Sequence, residues 1–213
     1  MTGHQHYFDA HPQAAHRPGR IRVVLPDVYL ELDTDSGMFS PGRLDPGTRF
    51  LLEEAPRPPS DGNLLDLGCG YGPIACTLAA RSPGATVWAV DVNTRALALC
   101  AANASRAGLP NVRAVTPDEK SLPASFTGIW SNPPVRIGKN ALHELLRHWL
   151  ARLAPRAGAT IVMGRNLGAD SLHGWLEKEE GWQVRRLAAR SGYRLLGISS
   201  VNIERTEVTP DGQ

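Results

Sequence analysis

Short apolar runs alternate with stretches of helical periodicity along most of the chain. Compact apolar runs predict strands, and apolar residues that recur at every third and fourth position predict helices. The longest such repeat spans residues 142–153 and predicts a helix with one apolar face. From residue 63 onward the predicted strands are 64–67, 86–90, 112–115, 127–131, 158–163, 182–188 and 193–203, and the other predicted helices are 74–81, 94–106 and 171–179.

This alternation of strands and helices predicts a parallel sheet with helices on both faces. The last two strands are joined by the tight turn 190–192, which indicates an antiparallel pair at one edge. Two further β-like runs, 20–25 and 28–33, flank Pro26-Asp27 and predict a β-hairpin ahead of the sheet. The predicted fold class is therefore α/β, with a Rossmann-like seven-stranded sheet preceded by a short hairpin.

The same pattern divides the chain into four segments. Residues 1–19 are polar, contain four histidines and predict a flexible arm. Residues 20–62 hold the hairpin, a loop and a short helix at 49–54, and they lead into the main domain. We expect that domain at 63–205, followed by a frayed tail at 206–213.

A glycine-rich turn follows the first strand of the main domain. Gly68, Gly70 and Gly72 alternate with other residues, Asp66 precedes them, and Asp91 ends the next strand. Glycine lets the backbone pass close to a ligand where a Cβ would collide, and the N–H groups that open the next helix can bind an anionic group. Asp91 is placed to accept hydrogen bonds from a ribose diol. The stretch predicts a nucleotide-binding site.

The spacing of the glycines indicates which nucleotide. In the dinucleotide fingerprint the third glycine comes three residues after the second, whereas here it comes after two. The pattern resembles motif I of the class I S-adenosylmethionine (SAM) methyltransferases. That resemblance implies SAM as cofactor, and the residues assigned to it from this region are Asp66, Gly68, Cys69, Gly70, Gly72, Asp91 and Val92.

The formal net charge of +2 is unevenly distributed. Residues 136–205 contain twelve Lys and Arg against six Asp and Glu, whereas residues 1–135 contain eleven against thirteen. A basic C-terminal half suits RNA as a partner, although a solvated surface explains the same excess. No apolar run approaches the roughly 18 residues that cross a membrane, and no signal-like stretch opens the chain. We expect a cytoplasmic protein with no membrane partner.

The three cysteines, Cys69, Cys76 and Cys100, show no metal-ligand spacing and are expected as buried thiols. The histidines of residues 1–19 are compatible with a metal, but a loosely ordered arm explains them better. We therefore expect no metal site.

Asn132-Pro133-Pro134 directly follows the fourth strand of the main domain. Two prolines fix the backbone and remove two N–H donors, so we expect the nearby carbonyls to point outward with no competing donor. The Asn132 side chain and the Pro133 carbonyl would then accept both protons of a planar amino group and turn its lone pair towards the methyl donor. Such a transfer depends on positioning and dipoles and needs neither metal nor strong base. Asn132, Pro133 and Pro134 are assigned as catalytic, and Asn132 also as a neighbour of the cofactor.

In this position Asn-Pro-Pro resembles the amino-methylating class I enzymes. Together with Phe39-Ser40, Leu44-Asp45-x-Gly47-Thr48 and Gly138-Lys139, it resembles the small-domain family of ribosomal RNA guanine-N2 methyltransferases of the small subunit. The resemblance implies the exocyclic amine of a guanine in ribosomal RNA as acceptor. It also implies further cofactor neighbours, which are Phe39, Ser40, Thr48 and, near the adenine, Asp118.

One departure from this family concerns the acceptor base. Many relatives carry an aromatic residue after the second proline to stack on the target base, whereas this chain has Val135. Stacking is then expected from Arg136, Phe39 or Trp130, or the target differs. Val135, Arg136 and Lys139 are assigned to the substrate, the last two as contacts for phosphates.

Other functions stay open at this point. An N-methyltransferase acting on adenine N6 or on a protein glutamine amide would use the same chemistry. A non-catalytic module that binds SAM or RNA would keep only part of it. An NAD-dependent oxidoreductase is disfavoured by the glycine spacing and by the lack of an evident proton donor.

Overall fold

The computed structural model describes residues 18–35 and 43–200, which form nine strands, five α-helices and two short 3-10 turns. The strands are β1 (Pro18–Val24), β2 (Tyr29–Asp35), β3 (Asp61–Leu67), β4 (Gly84–Val90), β5 (Val112–Val115), β6 (Phe126–Ser131), β7 (Leu153–Gly164), β8 (Gln183–Arg190) and β9 (Tyr193–Ser199). The helices are α1 (Pro46–Glu54), α2 (Pro73–Arg81), α3 (Thr94–Arg106), α4 (Lys139–Leu150) and α5 (Ala169–Lys178). Within these ranges, no helix combines the length and the apolarity that a membrane crossing requires.

Strands β3 to β9 form one sheet in the order β5-β4-β3-β6-β7-β9-β8. The strands β3 to β7 run parallel, and β9 lies antiparallel between β7 and β8. Leu67 pairs with Val90 on one side and with Ser131 on the other, so the carboxyl ends of the three central strands meet at one edge. The predicted fold class, including the hairpin formed by β1 and β2, is confirmed.

Each face of the sheet carries its own apolar core. Leu64 packs into the core shared with the hairpin, α1, α2 and α3, whereas its neighbour Leu65 packs into the core shared with α4 and α5. Successive side chains of a strand point to opposite faces, so a strand that is apolar at both positions needs a helical layer on each side.

The helix predicted at 142–153 differs at both ends from α4, which runs from Lys139 to Leu150. Its apolar stripe is buried as predicted, at Leu142, Leu146, Trp149 and Leu150. Leu153, however, already belongs to β7 and pairs with Phe126. The Arg152 carbonyl accepts a hydrogen bond from the Phe126 N–H at 2.8 Å, which brings the chain to the sheet directly after the helix. For this reason β7 begins earlier than the predicted strand 158–163.

Asn103 of α3 fastens the hairpin to the main sheet. Its amide nitrogen donates to the carbonyls of Asp33 (2.9 Å) and Tyr71 (2.8 Å), and its amide oxygen accepts from the Asp33 N–H at 2.8 Å. The side chain is completely buried. Because Tyr71 lies in the glycine turn, one asparagine ties that turn to both the hairpin and α3.

Candidate active site

The glycine turn between β3 and α2 is wound tightly against the end of β4. The backbone φ angles of Gly68, Gly70 and Gly72 are 77°, 55° and 93°, a left-handed region that favours glycine. The N–H groups of Gly68 and Cys69 both donate to the Val90 carbonyl, at 2.8 and 3.1 Å. A Cβ added at Gly72 would lie 2.6 Å from the Cys100 sulfur, so α3 closes the turn from behind.

Asp66 supports this turn from within the protein. Its side chain is completely buried, and Oδ2 accepts a hydrogen bond from the Ala75 N–H in the first turn of α2 at 2.8 Å. Gly72, the N-cap of that helix, has no side chain to do this. Burial raises the pKa of the Asp66 carboxyl to about 8, with a smaller contribution from Asp91. Oδ1 has no hydrogen-bond partner within the described part of the chain.

Asp91, directly after β4, connects the glycine turn to α3. Its Oδ2 accepts from the Gly70 N–H and its Oδ1 from the Asn93 N–H, both at 2.9 Å. The carboxyl is only 8% exposed, and burial raises its pKa. Val92 beside it is 44% exposed, whereas most large apolar side chains in the described part of the chain are buried. It therefore presents an apolar surface next to the Asp91 carboxyl.

The twin-proline turn lies directly against the glycine turn. A Cβ added at Gly68 would lie 3.7 Å from Cδ of Pro134. The Ser131 hydroxyl donates to the Leu67 carbonyl at 2.7 Å and thereby ties the ends of β6 and β3 together. The two segments that the sequence assigned separately to cofactor and catalysis therefore share one edge of the sheet.

Asn132 is oriented by the start of α1. Its amide nitrogen donates to Oδ1 of Asp45 at 2.8 Å and to the Thr48 hydroxyl at 3.0 Å. The same Asp45 oxygen accepts from the Thr48 N–H at 2.8 Å and caps α1. Only the NH2 end of an asparagine side chain can donate hydrogen bonds, so it is this end that faces Asp45 and Thr48. The amide oxygen of Asn132 therefore points the other way.

Asp45 belongs to this site although its sequence context, Leu44-Asp45-x-Gly47-Thr48, does not predict a role there. An aspartate before a proline-initiated helix is an ordinary N-cap, and only the fold shows that it also meets a side chain 87 residues away.

The expectation of carbonyls without a competing donor is wrong. The Pro133 carbonyl accepts from the Val135 N–H at 2.9 Å, and the Pro134 carbonyl accepts from the Ile137 N–H at 3.3 Å. After the prolines the chain enters a 3-10 turn at Val135–Ile137, which brings later N–H groups back onto these carbonyls. The Pro133 oxygen keeps a second lone pair for another donor.

Comparison with known proteins places this geometry in a family. A family model described as "Methyltransferase small domain" matches residues 29–197. Over 202 residues the chain is 32% identical to an uncharacterized Bacillus subtilis protein, YbxB, covering 92% of this chain and 99% of that protein. The chain belongs to the methyltransferase small-domain family. The predicted resemblance to that family is confirmed.

Two curated relatives within this family carry a more specific name. Ribosomal RNA small subunit methyltransferase C of Shewanella amazonensis is 31% identical over 66% of this chain and 40% of its own length. The protein of the same name from Hahella chejuensis is 33% identical over 78% of this chain and 48% of its own length. The chain thus spans less than half of these relatives.

A solved structure supports the fold. The T. thermophilus 16S rRNA N2 guanine methyltransferase RsmC, in complex with AdoMet and guanosine, gives a TM-score of 0.73 at 23% identity. The match covers 89% of this chain and 52% of that one. At this identity the likeness concerns the architecture of the methyltransferase small domain.

The residues predicted to contact the substrate lie in the 3-10 turn that follows the prolines and at the start of α4. Val135 is half-buried and packs on the core beneath α4. Arg136 and Lys139 are exposed, and neither forms an ion pair with any residue in the described ranges. Trp130 is only 5% exposed and therefore does not present a stacking face to a base. Phe39 and Ser40 lie outside the described residues, as do residues 1–17 of the predicted arm and the whole of the predicted tail. Pro18 and Gly19, predicted as the end of the arm, belong to β1 instead.

The remaining cofactor assignments fall into two environments. Asp118 is exposed in the loop after β5, where a hydrogen bond from the Thr116 hydroxyl lowers its pKa. Cys69 is buried beside the Cys100 thiol, and burial raises its pKa. Across the ranges that the structure describes, no group of three or more His, Cys, Asp or Glu residues is arranged to hold a metal ion.

Part of the positive charge in the C-terminal half is paired within the fold. Arg147 pairs with Glu180, and Arg186 and Arg194 both pair with Asp170. Arg190 reaches back across the fold to pair with Glu53 and Glu54 of α1. Glu180 and Asp170 are already included in the count of twelve basic against six acidic residues, so the pairs that lower this excess are those of Arg190 with Glu53 and Glu54, which lie outside residues 136–205.

Proposed function

We propose that this protein is a SAM-dependent N-methyltransferase acting on the exocyclic N2 amine of a guanine in small-subunit ribosomal RNA. The observation that carries the proposal is the oriented amide of Asn132, whose oxygen points away from Asp45 at the edge where the glycine turn and the twin prolines meet. We place its action in the cytoplasm, where ribosomal subunits are assembled.

The residues present fit the cofactor. The three left-handed glycines form the turn at the start of α2, here called the glycine cradle, and Asp91 offers a buried carboxylate beside the exposed Val92. A carboxylate in that place can accept hydrogen bonds from the two ribose hydroxyls, and Val92 can cover an adenine face. When bound, SAM supplies a methyl group on a sulfonium. Around it we place the assigned residues Asp66, Gly68, Cys69, Gly70, Gly72, Asp91, Val92 and Asp118, with Asp66 acting through the helix start that it holds. Thr48, which the sequence also assigned to the cofactor, instead accepts a hydrogen bond from the Asn132 amide.

Asn132 and Pro133 would hold the acceptor amine. The Asn132 amide oxygen accepts one proton of the amine, and the second lone pair of the Pro133 carbonyl accepts the other. Two accepted hydrogen bonds withdraw the amine from conjugation with its ring and direct the nitrogen lone pair. Pro134, against Gly68, keeps this pair of acceptors next to the cradle. The chemistry is then one of positioning, and the product nitrogen releases its proton to water.

The identity of the acceptor rests on the relatives. Proteins named ribosomal RNA small subunit methyltransferase C align with this chain over up to 78% of its length, at 33% identity in that alignment. The solved T. thermophilus enzyme holds guanosine together with AdoMet. Arg136 and Lys139, exposed where α4 begins, are suited to contact RNA phosphates near the acceptor.

Radiolabelled SAM distinguishes the candidate acceptors. The purified protein is incubated with small ribosomal subunits from a strain lacking the gene, with the free RNA, and with a peptide release factor. We expect label in RNA, recovered as N2-methylguanosine after digestion. Label as N6-methyladenosine or on the release factor would contradict the guanine assignment, and binding of SAM without any transfer would indicate a non-catalytic module.

A further inference from the structure

An open depression of about 370 Å³ lies at the carboxyl edge of the sheet, on the far side of β7 from Asn132. It is formed by the loop after β7 and by the turn between β8 and β9. The residues that line it are Arg165, Asn166, Ser191, Gly192 and Tyr193.

The walls of the depression are tied together by the backbone. The Arg165 N–H donates to the Gly192 carbonyl at 2.7 Å and joins the loop to the turn. Ser191 and Gly192 both have positive φ, 50° and 82°, as in the two-residue turns that fit antiparallel strands best. The depression is therefore preformed.

Tyr193 brings an aromatic ring close to the groups that orient Asn132. A Cβ added at Gly47 would lie 2.8 Å from Cε1 of Tyr193 and 3.1 Å from Oδ1 of Asp45. The ring and the carboxylate thus flank the same glycine. Burial, and then the charge of Asp45, raise the pKa of the Tyr193 hydroxyl.

Arg165 brings a positive charge to the other wall. It is exposed and has no ion-pair partner in the described ranges, whereas Arg190 and Arg194, at either side of the turn, are neutralised by Glu53 and Glu54 and by Asp170. Leu167, in the same loop, is 51% exposed. A ring, an unpaired guanidinium and an apolar side chain suit a ligand with a flat face and a negative charge.

The spacing matches a nucleotide next to the acceptor. Strand β9 lies two strands away from β6, which is about 10 Å at the usual spacing of strands. A group bound there is too far to receive the methyl group held beside Asn132. It is near enough to belong to the same RNA strand.

We propose that this depression binds the nucleotide that neighbours the acceptor guanine in single-stranded RNA. The Tyr193 ring stacks on the base, and Arg165 contacts its phosphate. Aromatic stacking and arginine contacts of this kind hold unpaired RNA with little dependence on sequence. The inference rests on the proposed function, and it supplies the aromatic contact that Val135 does not.

Binding of a short fluorescent single-stranded RNA, with SAM affinity measured in parallel, tests this inference. Tyr193→Leu should weaken RNA binding about tenfold, and Tyr193→Phe should restore it, because stacking needs only the ring. Arg165→Gln should weaken RNA binding. It should also reduce, by about one, the slope of the logarithm of the binding constant against the logarithm of the salt concentration. Arg185→Gln, which removes an exposed arginine of β8 outside the depression, should leave RNA affinity unchanged.

A second comparison uses free guanosine as the acceptor. Guanosine has no neighbouring nucleotide. The Tyr193→Leu and Arg165→Gln variants should therefore methylate RNA more slowly than the wild type but methylate guanosine at the wild-type rate. Wild-type RNA affinity in both variants would overturn the inference, and so would an equal loss with guanosine or a loss of SAM affinity. If the wild-type protein itself neither binds nor methylates RNA, the proposed function fails, and the result is distinguishable from failure of the depression alone.

Discussion

The proposed active site has two halves, one for the methyl donor and one for the acceptor, and they are assembled in different ways. The donor half, from Asp66 to Asp91, is held within one stretch of sequence by hydrogen bonds from the N–H groups of Gly70 and Ala75 to the carboxyl groups of Asp91 and Asp66. The acceptor half joins Asn132 to Asp45 and Thr48, which are 87 and 84 residues away. Substitutions in the donor half should therefore act on cofactor binding and stability, and substitutions in the acceptor half on the rate of transfer.

The largest effect is expected at Asn132. Asn132→Ala removes the acceptor of one amine proton and should lower kcat by at least about a hundredfold, as loss of one preorganised polar group does in other enzymes. SAM affinity, measured by calorimetry, should stay near the wild-type value. A large loss of SAM affinity with kcat preserved would mean that the roles of the two halves are exchanged.

Asp66→Asn should change stability in a way that depends on pH. The folded-state pKa of about 8 lies above the roughly 3.9 of an unfolded carboxyl, so ionisation favours unfolding. The stability of the wild-type protein should therefore fall as pH rises from about 4 to about 8. Asparagine keeps an acceptor for the Ala75 N–H but cannot ionise.

Denaturant titrations across this pH range measure the difference. Above about pH 8 the Asp66→Asn variant should exceed the wild type by about 5 kcal/mol in free energy of unfolding, and the two should converge at acid pH. Parallel curves over the whole range would show that Asp66 ionises as an ordinary carboxyl.

Asp91→Ala should weaken SAM binding by about ten- to a hundredfold, the usual cost of losing a hydrogen bond to a charged group. At saturating SAM, kcat should be largely retained, because the acceptor half is intact. Asp61→Ala, an exposed aspartate at the opposite end of β3, is the matched control. Equal effects of the two variants on calorimetric SAM affinity would remove Asp91 from the binding site.

The smallest effect is expected at Thr48, and it sharpens the comparison most. Thr48→Val removes one of the two acceptors of the Asn132 NH2 group, so kcat should fall by about tenfold or less. The sequence assigned Thr48 to the cofactor. In that role, the substitution would instead raise the dissociation constant for SAM. Steady-state kinetics together with calorimetry separate the two roles.

The contrast also explains what could be predicted from the sequence. The location of the donor half at the sheet edge was predictable because glycine spacing and a strand-ending acid are local signals. The location of Asn132 at the same edge was predictable because the Asn-Pro-Pro pattern directly follows a strand. Asp45 and Tyr193 carried no such signal, since one is an ordinary helix cap and the other an ordinary strand residue. Their roles arise from pairing between strands and helices far apart in the chain.

The charge of the C-terminal half marks a second limit of sequence reasoning. A count of arginines ignores partners brought in by the fold, such as Glu53 and Glu54 for Arg190. The expectation of free carbonyls after the prolines likewise ignored backbone donors, such as the Val135 N–H, which donates to the Pro133 carbonyl. Both depend on three-dimensional geometry.

A crystal structure with S-adenosylhomocysteine and guanosine tests the central claim most directly. The account predicts the adenosyl group in the glycine cradle, with its ribose on Asp91. It predicts the guanine N2 amine within hydrogen-bonding distance of the Asn132 amide oxygen and facing the sulfur. A guanine bound away from Asn132, or a cradle closed by side chains of the protein, would contradict it.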